Sequence, residues 1–320
     1  MGIQAAPEVK YQIIKDAMER DGACLDVSKL CRLAGVSRSG YYNWLNSEPK
    51  RQEREAADKA DFEKVLAAYQ YRGYAKGARS IYMRLLHEGI QMNLKKIRRL
   101  MRKYRLICPI RRPNPYKKML KAMQSSHVAK NIVNRNFHKA PRKVLLTDIT
   151  YMFYKGHNCC YLSTIIDAFT HEILAYELSD TLRVDFVLRT VDDLIAKYGC
   201  ELDCETIIHS DQGVHYTSKA FIEKLRDEEF VQSMSRKGNC WDNAPQESFF
   251  GHMKDEIMYY VEKCASVDEV RARVDDWMDY YNNDRYQAEL LKLSPVEYRE
   301  YLRTDVYPLE RFLGKPRPTA

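Results

Sequence analysis

At Val144 the spacing of apolar residues changes from about 3.6 to 2, dividing the chain into a helical part and a part that must build a sheet. Upstream, Tyr11–Asp21, Ser28–Ala34 and Arg38–Leu45 read as helices. Leu30 and Leu33 lie on the apolar side of the second, and Tyr41, Trp44 and Leu45 pack from the third. Gly35-Val36-Ser37 between them is a tight turn, so the segment reads as a helix-turn-helix with Ser37, Arg38, Ser39 and Tyr42 opening the recognition helix. An ordinary three-helix bundle fits the same pattern. The stretch 46–58 is charged and polar, contains Pro49 and reads as a linker. Asp58–Tyr71, Ala78–His87 and Leu94–Tyr104 follow as helices, the last capped by Asn93, with Leu94, Ile97, Leu100 and Met101 inward.

Downstream, Val144–Tyr154, Cys160–Asp167 and Glu172–Leu178 are rich in β-formers and short-linked, predicting an antiparallel meander. Helices at Arg183–Tyr198, Ser218–Glu228 and Ala244–Tyr260 then alternate with strands at Thr206–His209 and Phe230–Met234. Two more helices begin at capping boxes, Ser266 to Glu269 and Ser294 to Glu297. The fold class is α/β: a mixed sheet of antiparallel meander plus parallel strands with flanking helices, preceded by all-α units. The predicted divisions are 1–48, a helix-turn-helix unit; 49–107, a second helical unit that binds DNA; 108–142, a basic linker; 143–263, the catalytic core; and 264–320, a helical extension.

Charge is distributed as unevenly as structure. From Gly89 to Thr147 there are 17 Lys and Arg and no acidic residue, whereas the rest of the chain is net −9. Such a field attracts a polyanion, because each cation placed on a phosphate releases counterions. The helix Leu94–Tyr104 concentrates the effect: Lys95, Lys96, Arg98, Arg99, Arg102 and Lys103 share its polar side without the opposite charges that surface helices usually intersperse. DNA or RNA is the natural partner, and a helix this basic fits the major groove of double-stranded DNA. Arg38, Lys95, Lys96, Arg98, Arg99, Arg102, Arg111, Arg112, Arg236, Lys237 and Lys254 are the candidate contacts. The nine cysteines include no Cys-x-x-Cys pair, which argues against a zinc site. No apolar run approaches a membrane span, and the first residues lack the layout of a secretory signal, so a cytoplasmic, nucleoid-associated protein with no membrane partner is expected.

Three carboxylates stand where chemistry would need them. Asp148 lies inside the first strand, Asp211 just past the short strand in IIHSDQG, and Glu247 in the first turns of a helix in DNAPQESFF. An aspartate among buried strand residues is costly to ionise unless something compensates it, and a divalent cation does so. Hard oxygen ligands with open positions select Mg²⁺ or Mn²⁺, and two such ions would serve an in-line phosphoryl displacement.

Five strings, TDITY, YLSTIIDAFTHEI, IIHSDQGVHYTS, SMSRKGNCWDNAPQESFFGHMKDE and YYNNDR…LSPVEY, together resemble the integrase core of bacterial insertion-sequence transposases, in particular the second-frame product of the insertion sequence 3 family. The upstream runs GYAKGARSIYMRLLHEGIQMNLKKIRRLMRKY and CRLAGVSRSGYYNWL resemble the same family. The resemblance implies an RNase H-like core with Asp148, Asp211 and Glu247 as a metal-binding acidic triad. It also implies a basic residue seven positions after the glutamate, here Lys254, on one face with Glu247 in a helix. The implied reaction is cleavage at the element's terminal inverted repeats followed by attack of the freed 3′-hydroxyl on target DNA. Two ends require two active sites, hence at least a homodimer on DNA. The chain departs from the family pattern at Leu146, where Trp is common, and at Asn282 or Asn283, Arg285 and Gln287, where Asn…Arg…His is usual. The alternatives are another RNase H-like nuclease or integrase, and a DNA-binding regulator with a degenerate core. No histidine precedes His87, against a retroviral-type zinc module, and all three carboxylates are present, against degeneracy.

Overall fold

A computed structural model describes residues 6–21, 26–74, 76–108, 129–137, 139–156, 158–236 and 240–316. Arg111, Arg112 and Lys237 lie outside the described residues, as does most of the expected basic linker. The chain divides into two units, Met1–Leu66 and Ala67–Ala320.

In the first unit, α1 (Pro7–Asp21), α2 (Val27–Ala34) and α3 (Arg38–Asn46) enclose a small core of Ile14, Cys31 and Tyr41, ringed by Tyr11, Met18 and Trp44. Asp26 caps α2 by accepting from the Ser28 amide at 2.8 Å, and Ser37 caps α3 by accepting from the Gly40 amide at 3.1 Å. Between them Gly35 sits at φ +64°, a conformation that a side chain would strain, and the Val36 amide closes on the Cys31 carbonyl. Leu33, expected inside, is 86% exposed, and Cys31 takes its place. In a helix this short the inward stripe runs Val27, Leu30, Cys31, Ala34, and Leu33 falls outside it. The expected linker at 46–58 is also helical, within α4 (Glu48–Gln70). Pro49 is the second residue of that helix, where it forfeits no intrahelical bond, and Lys15 holds Glu48 at 2.7 Å.

The second unit begins with α5 (Ala78–His87) and α6 (Leu94–Lys103), which bury Ile81, Leu85, Ile97 and Leu100 between them. These helices are tied to the C-terminal segment of the same unit. His87 stacks on Tyr286 with ring centroids 3.6 Å apart, and Arg84 pairs with Asp284 at 3.2 Å. The sheet follows, with β1 (Val144–Tyr154), β2 (Asn158–Asp167), β3 (Ile173–Ser179), β4 (Ile207–Ser210) and β5 (Val231–Met234) in the order β3-β2-β1-β4-β5. β1, β2 and β3 form the antiparallel meander, and β4 and β5 add parallel to β1.

Alternation along the strands sends side chains to two cores. α7 (Val184–Tyr198) and α8 (Lys219–Asp227) cover Leu145, Ile165 and Ile208 with Phe186, Val191 and Phe221. On the other face α9 (Ala244–Val261) and α10 (Val267–Asn283) cover Met152, Leu162 and Ile166 with Phe249, Met253 and the fully buried Trp277. The mixed sheet is the one expected from the patterning, and its architecture is the RNase H-like one that the resemblance implied. α11 (Pro295–Thr304), entered through a complete Ser294/Glu297 capping box, and α12 (Glu310–Leu313) close the chain. At Ser266 only one arm of the expected box forms; Glu269 reaches the amide of Ala265 instead.

Candidate active site

Parallel pairing of β1 with β4 sets the site. Leu146 is opposite His209, so Asp148 and Asp211 each stand two residues beyond the same rung, Asp211 just past the last residue of β4. Asp148 is half-buried and faces the α9 side of the sheet, as do its even-numbered neighbours Thr150 and Met152. Asp211 is exposed, and its Oδ1 accepts from the Gly213 amide at 2.8 Å. A Cβ at Gly213 would stand 2.9 Å from that oxygen, so glycine is what lets the turn fold onto the carboxylate.

Tyr216, buried under this turn, reports on both aspartates. Its hydroxyl lies 3.4 Å from Thr147 Oγ1. Burial, and then the negative charge of Asp148 and of Asp211, drives the phenol well above its ordinary range.

Glu247 is the fourth residue of α9 and is exposed. Its neighbour Gln246 is fully buried and donates through Nε2 to Thr164 Oγ1, and Thr164 is the β2 residue opposite Asp148. The start of α9 is thereby hung over the rung that carries the first aspartate. Among the described residues no three His, Cys, Asp or Glu side chains converge tightly enough to hold a metal ion, so the three carboxylates do not form one closed cluster in this conformation. Mutual repulsion of three anions disfavours such closure when nothing neutralises them.

Asp242 supports that helix from the loop before it. Its buried carboxylate accepts from Asn131 Nδ2 and Arg135 Nε, both at 2.9 Å, and from the Arg236 amide and guanidinium at 2.9–3.0 Å. These donors hold the carboxyl far below the usual carboxylate range, the Arg236 side chain contributing most. The Asp242 carbonyl takes the Nε2 side of His209, whose Nδ1 meets Ser233 Oγ at 2.9 Å. Burial lowers the His209 pKa, so a neutral ring joins β4, β5 and the turn into α9. Asp242, His209, Gln246 and Tyr216 were not singled out from sequence. Their neighbours in IIHSDQG and DNAPQES were, but nothing in the linear pattern shows that these four meet.

Among the sequence-predicted cations, Lys95, Arg98, Arg99 and Arg102 are exposed along α6 and Lys96 is half-buried, while Ile97, Leu100 and Met101 face inward. Arg38 is exposed on α3, 5.6 Å over the Tyr42 ring. Arg236 is committed to Asp242. Lys254 is half-buried and shares a helical face with Glu247. Glu256, two residues on, is buried against Arg285 at 3.0 Å and Trp277 Nε1 at 3.0 Å. The C-terminal polar cluster has structural partners too: Asn282 exchanges two hydrogen bonds with the backbone of Ile173, and Gln287 Oε1 meets His171 Nδ1 at 3.0 Å.

Known proteins share these segments. An Integrase core domain family matches residues 138–240, a second Integrase core domain family matches 247–301, and an HTH-like domain matches 55–114, the segment of α5 and α6. Over 277 residues, 85% of this chain and 93% of the relative, it is 31% identical to the putative transposase InsK for insertion sequence element IS150 of Escherichia coli (strain K12). It is 30% identical over 276 residues, 85% of this chain and 97% of the relative, to the insertion element IS600 uncharacterized 31 kDa protein of Shigella sonnei. Among solved structures, the HTLV-2 integrase catalytic core domain in complex with magnesium aligns at a TM-score of 0.40 and 14% identity, over 50% of this chain and 98% of that one.

Proposed function

The chain belongs to the insertion-sequence transposases with an integrase core, and from that premise we propose that Asp148, Asp211 and Glu247 carry its DNA cleavage and strand-joining chemistry. The observation that carries the assignment is the shared register. Asp148 and Asp211 extend from one rung, and the Gln246–Thr164 bond hangs the helix bearing Glu247 over it. Their donor set, carboxylate oxygen alone, is the chemistry that suits Mg²⁺ or Mn²⁺, two ions per site. Bound there, the ions would neutralise the phosphate and stabilise the attacking and leaving oxygens. The residues themselves orient: the Gly213 amide holds the Asp211 carboxylate, Tyr216 packs the α7–α8 face of the sheet with its hydroxyl at Thr147, next to Asp148, and Asp242 fixes the turn that leads to Glu247. The enzyme uses element ends and target duplex, in a DNA-assembled dimer or larger. The direct test is joining of an element-end duplex to a second duplex in Mg²⁺ by the purified chain. Joined product that persists in EDTA would overturn the assignment.

The reading places DNA phosphate on α6. Replacing Lys95, Arg98 and Arg102 together by alanine should weaken binding. The slope of log affinity against log salt should fall by about 0.9 for each phosphate that is no longer neutralised. Titration at three or more salt concentrations measures this, and an unchanged slope would show that these side chains do not meet phosphate. Lys254 is proposed to hold a phosphate beside the scissile bond. Lys254→Ala should slow joining about tenfold, the worth of one charge-assisted hydrogen bond, and Lys254→Arg should keep most of the rate. Wild-type joining by Lys254→Ala at physiological salt would return the residue to the role of a surface cation.

A further inference from the structure

The matched families begin at residue 55 and so assign nothing to α1, α2 and α3. Charge in those helices is one-sided. From Val27 to Ser47, which spans α2, the turn and α3, there are three cations, Lys29, Arg32 and Arg38, and no acidic residue. All three are exposed, and none is ion-paired with a described residue. The acids that flank the stretch are engaged: Asp26 caps α2, and Glu48 is held by Lys15 at 2.7 Å. A surface charged in this way is complementary to a polyanion.

Aromatic packing fixes which way α3 faces. Tyr41 and Trp44 lie against Tyr11, with ring centroids 6.2 and 5.9 Å from it. Gly40 admits the contact, because a Cβ there would run into the Tyr11 hydroxyl. Ser39, Tyr42, Asn43 and Asn46 are left outward, and their spacing makes one exposed stripe along the helix. The side chains of Ser39, Asn43 and Asn46 make no hydrogen bond to a described residue. α3 and α6 therefore offer a duplex different chemistry. The outer face of α6 is Lys95, Arg98, Arg99 and Arg102, which only donate, and phosphate oxygens only accept. Hydroxyl and carboxamide groups both donate and accept, as base edges do. The Asn carboxamide in particular matches adenine in the major groove, where N6 donates and N7 accepts. Ser and Asn also lose less rotamer freedom on docking than Lys or Arg does.

We propose that α3 is the helix that reads sequence at the element ends. Asn43 pairs with an adenine edge in the major groove, Ser39 and Asn46 address the base pairs to either side, and Lys29 and Arg32 on α2 grip phosphate. α6 then supplies affinity without choosing the sequence. The inference rests on the transposase reading above, which supplies the element-end DNA.

The test binds the full chain, without metal so that no strand is cut, to DNA duplexes with a randomised core and sequences those retained over repeated rounds. The wild type should enrich one motif that contains an adenine, and bind it roughly 10³-fold more tightly than unselected duplex. Asn43→Ala should lose the preference at one base pair and bind the selected duplex about tenfold more weakly, with affinity for unselected duplex within about twofold of wild type. Asn46→Ala should lose the preference at a neighbouring position instead. Replacing Lys95, Arg98 and Arg102 together by alanine should weaken both duplexes alike and leave the motif as it is. Both asparagines are exposed, and thermal melts confirm that the variants fold. A wild type that enriches nothing overturns the proposal, as does a motif that survives both asparagine variants unchanged or one that changes in the α6 variant. Joining of element-end duplexes in Mg²⁺, measured on the same preparations, separates the two readings. Joining by a wild type whose motif is indifferent to α3 overturns the role of α3 alone. A wild type that reads sequence through α3 and never joins ends overturns the transposase assignment and leaves α3 as the reader.

Discussion

Asp148→Ala, Asp211→Ala and Glu247→Ala should each lower strand joining by roughly 10³–10⁵-fold, because residues that act as one unit fail together when any member is removed. The loss corresponds to about 4–7 kcal/mol of transition-state stabilisation. Binding of end DNA should change far less, since carboxylates contribute repulsion rather than attraction to the phosphates and the cations of α6 are untouched. The measurement is a joining assay in Mg²⁺ beside a gel shift on the same DNA. Any single alanine variant that joins within about tenfold of wild type removes that residue from the triad. The rival reading, a regulator with a degenerate core, requires a wild type that binds ends and never joins them. Glu247 is the most informative of the three, because it is exposed and stands outside any closed cluster in this conformation. Its loss should be as severe as that of either aspartate only if α9 brings it to the strand ends when metal and DNA are bound.

The largest stability effect is expected at Arg142, just before β1. Its side chain is 7% exposed and bonds Asp167 at 3.1 Å, Glu172 at 2.9 Å and Glu201 at 3.0 Å. Asp167 and Glu172 are themselves 0% and 2% exposed. Arg142→Met would leave both carboxylates in the interior without that guanidinium; Arg299, 3.3 Å from Glu172, and the backbone amides of residue 142 and Phe169 on Asp167 would remain, and none of these replaces the charge beside Asp167. Breaking a buried pair by removing one partner costs about 3–5 kcal/mol. In a unit of this size that lowers the Tm by roughly 6–20 °C. Exchanging Arg142, Asp167 and Glu172 together for neutral groups of similar volume should recover much of the loss, because the penalty lies in uncompensated charge rather than in a missing attraction. Thermal unfolding followed by circular dichroism tests this. A single Arg142→Met chain that melts within about 2 °C of wild type would show that water or a neighbouring cation reaches the carboxylates.

Much of the core is legible in the sequence because its signals are local. The strand Val144–Tyr154 is found at its predicted limits, since alternation and β-branched residues act within a few positions. Asn93 and Ser294 cap helices as read, and Ser37 and Ser218, read as opening theirs, prove to cap them, because a capping bond spans two or three residues. Polarity alone misleads at 46–58. A helix that is polar all round has no stripe to betray it, and Pro49 at its start looks like a break. Leu33 fails for a related reason: two turns give too few positions to orient a face, and Cys31 counts as apolar only once it is seen inside. The candidate site divides in the same way. The triad is visible as residue types at the ends of strands and the start of a helix. The bonds from Asp242 to Asn131 and Arg135 span 111 and 107 positions and obey no period. The register that aligns Asp148 with Asp211 likewise exists only once β4 has paired.

The donors that converge on Asp242 bear on where the catalytic fold can be cut. Asn131 and Arg135 come from the segment before β1, and the amide of Ile132 is taken by Ser233 Oγ at 2.9 Å. Val133 is buried with Val144 and Leu146. A fragment beginning at β1 would thus lack part of its own interior and two of the three side chains that hold the turn leading to Glu247. An excised core that keeps its third carboxylate in place has to start upstream of Ala129 and run past Arg285, and a shorter piece is expected to keep the sheet while its third carboxylate drifts.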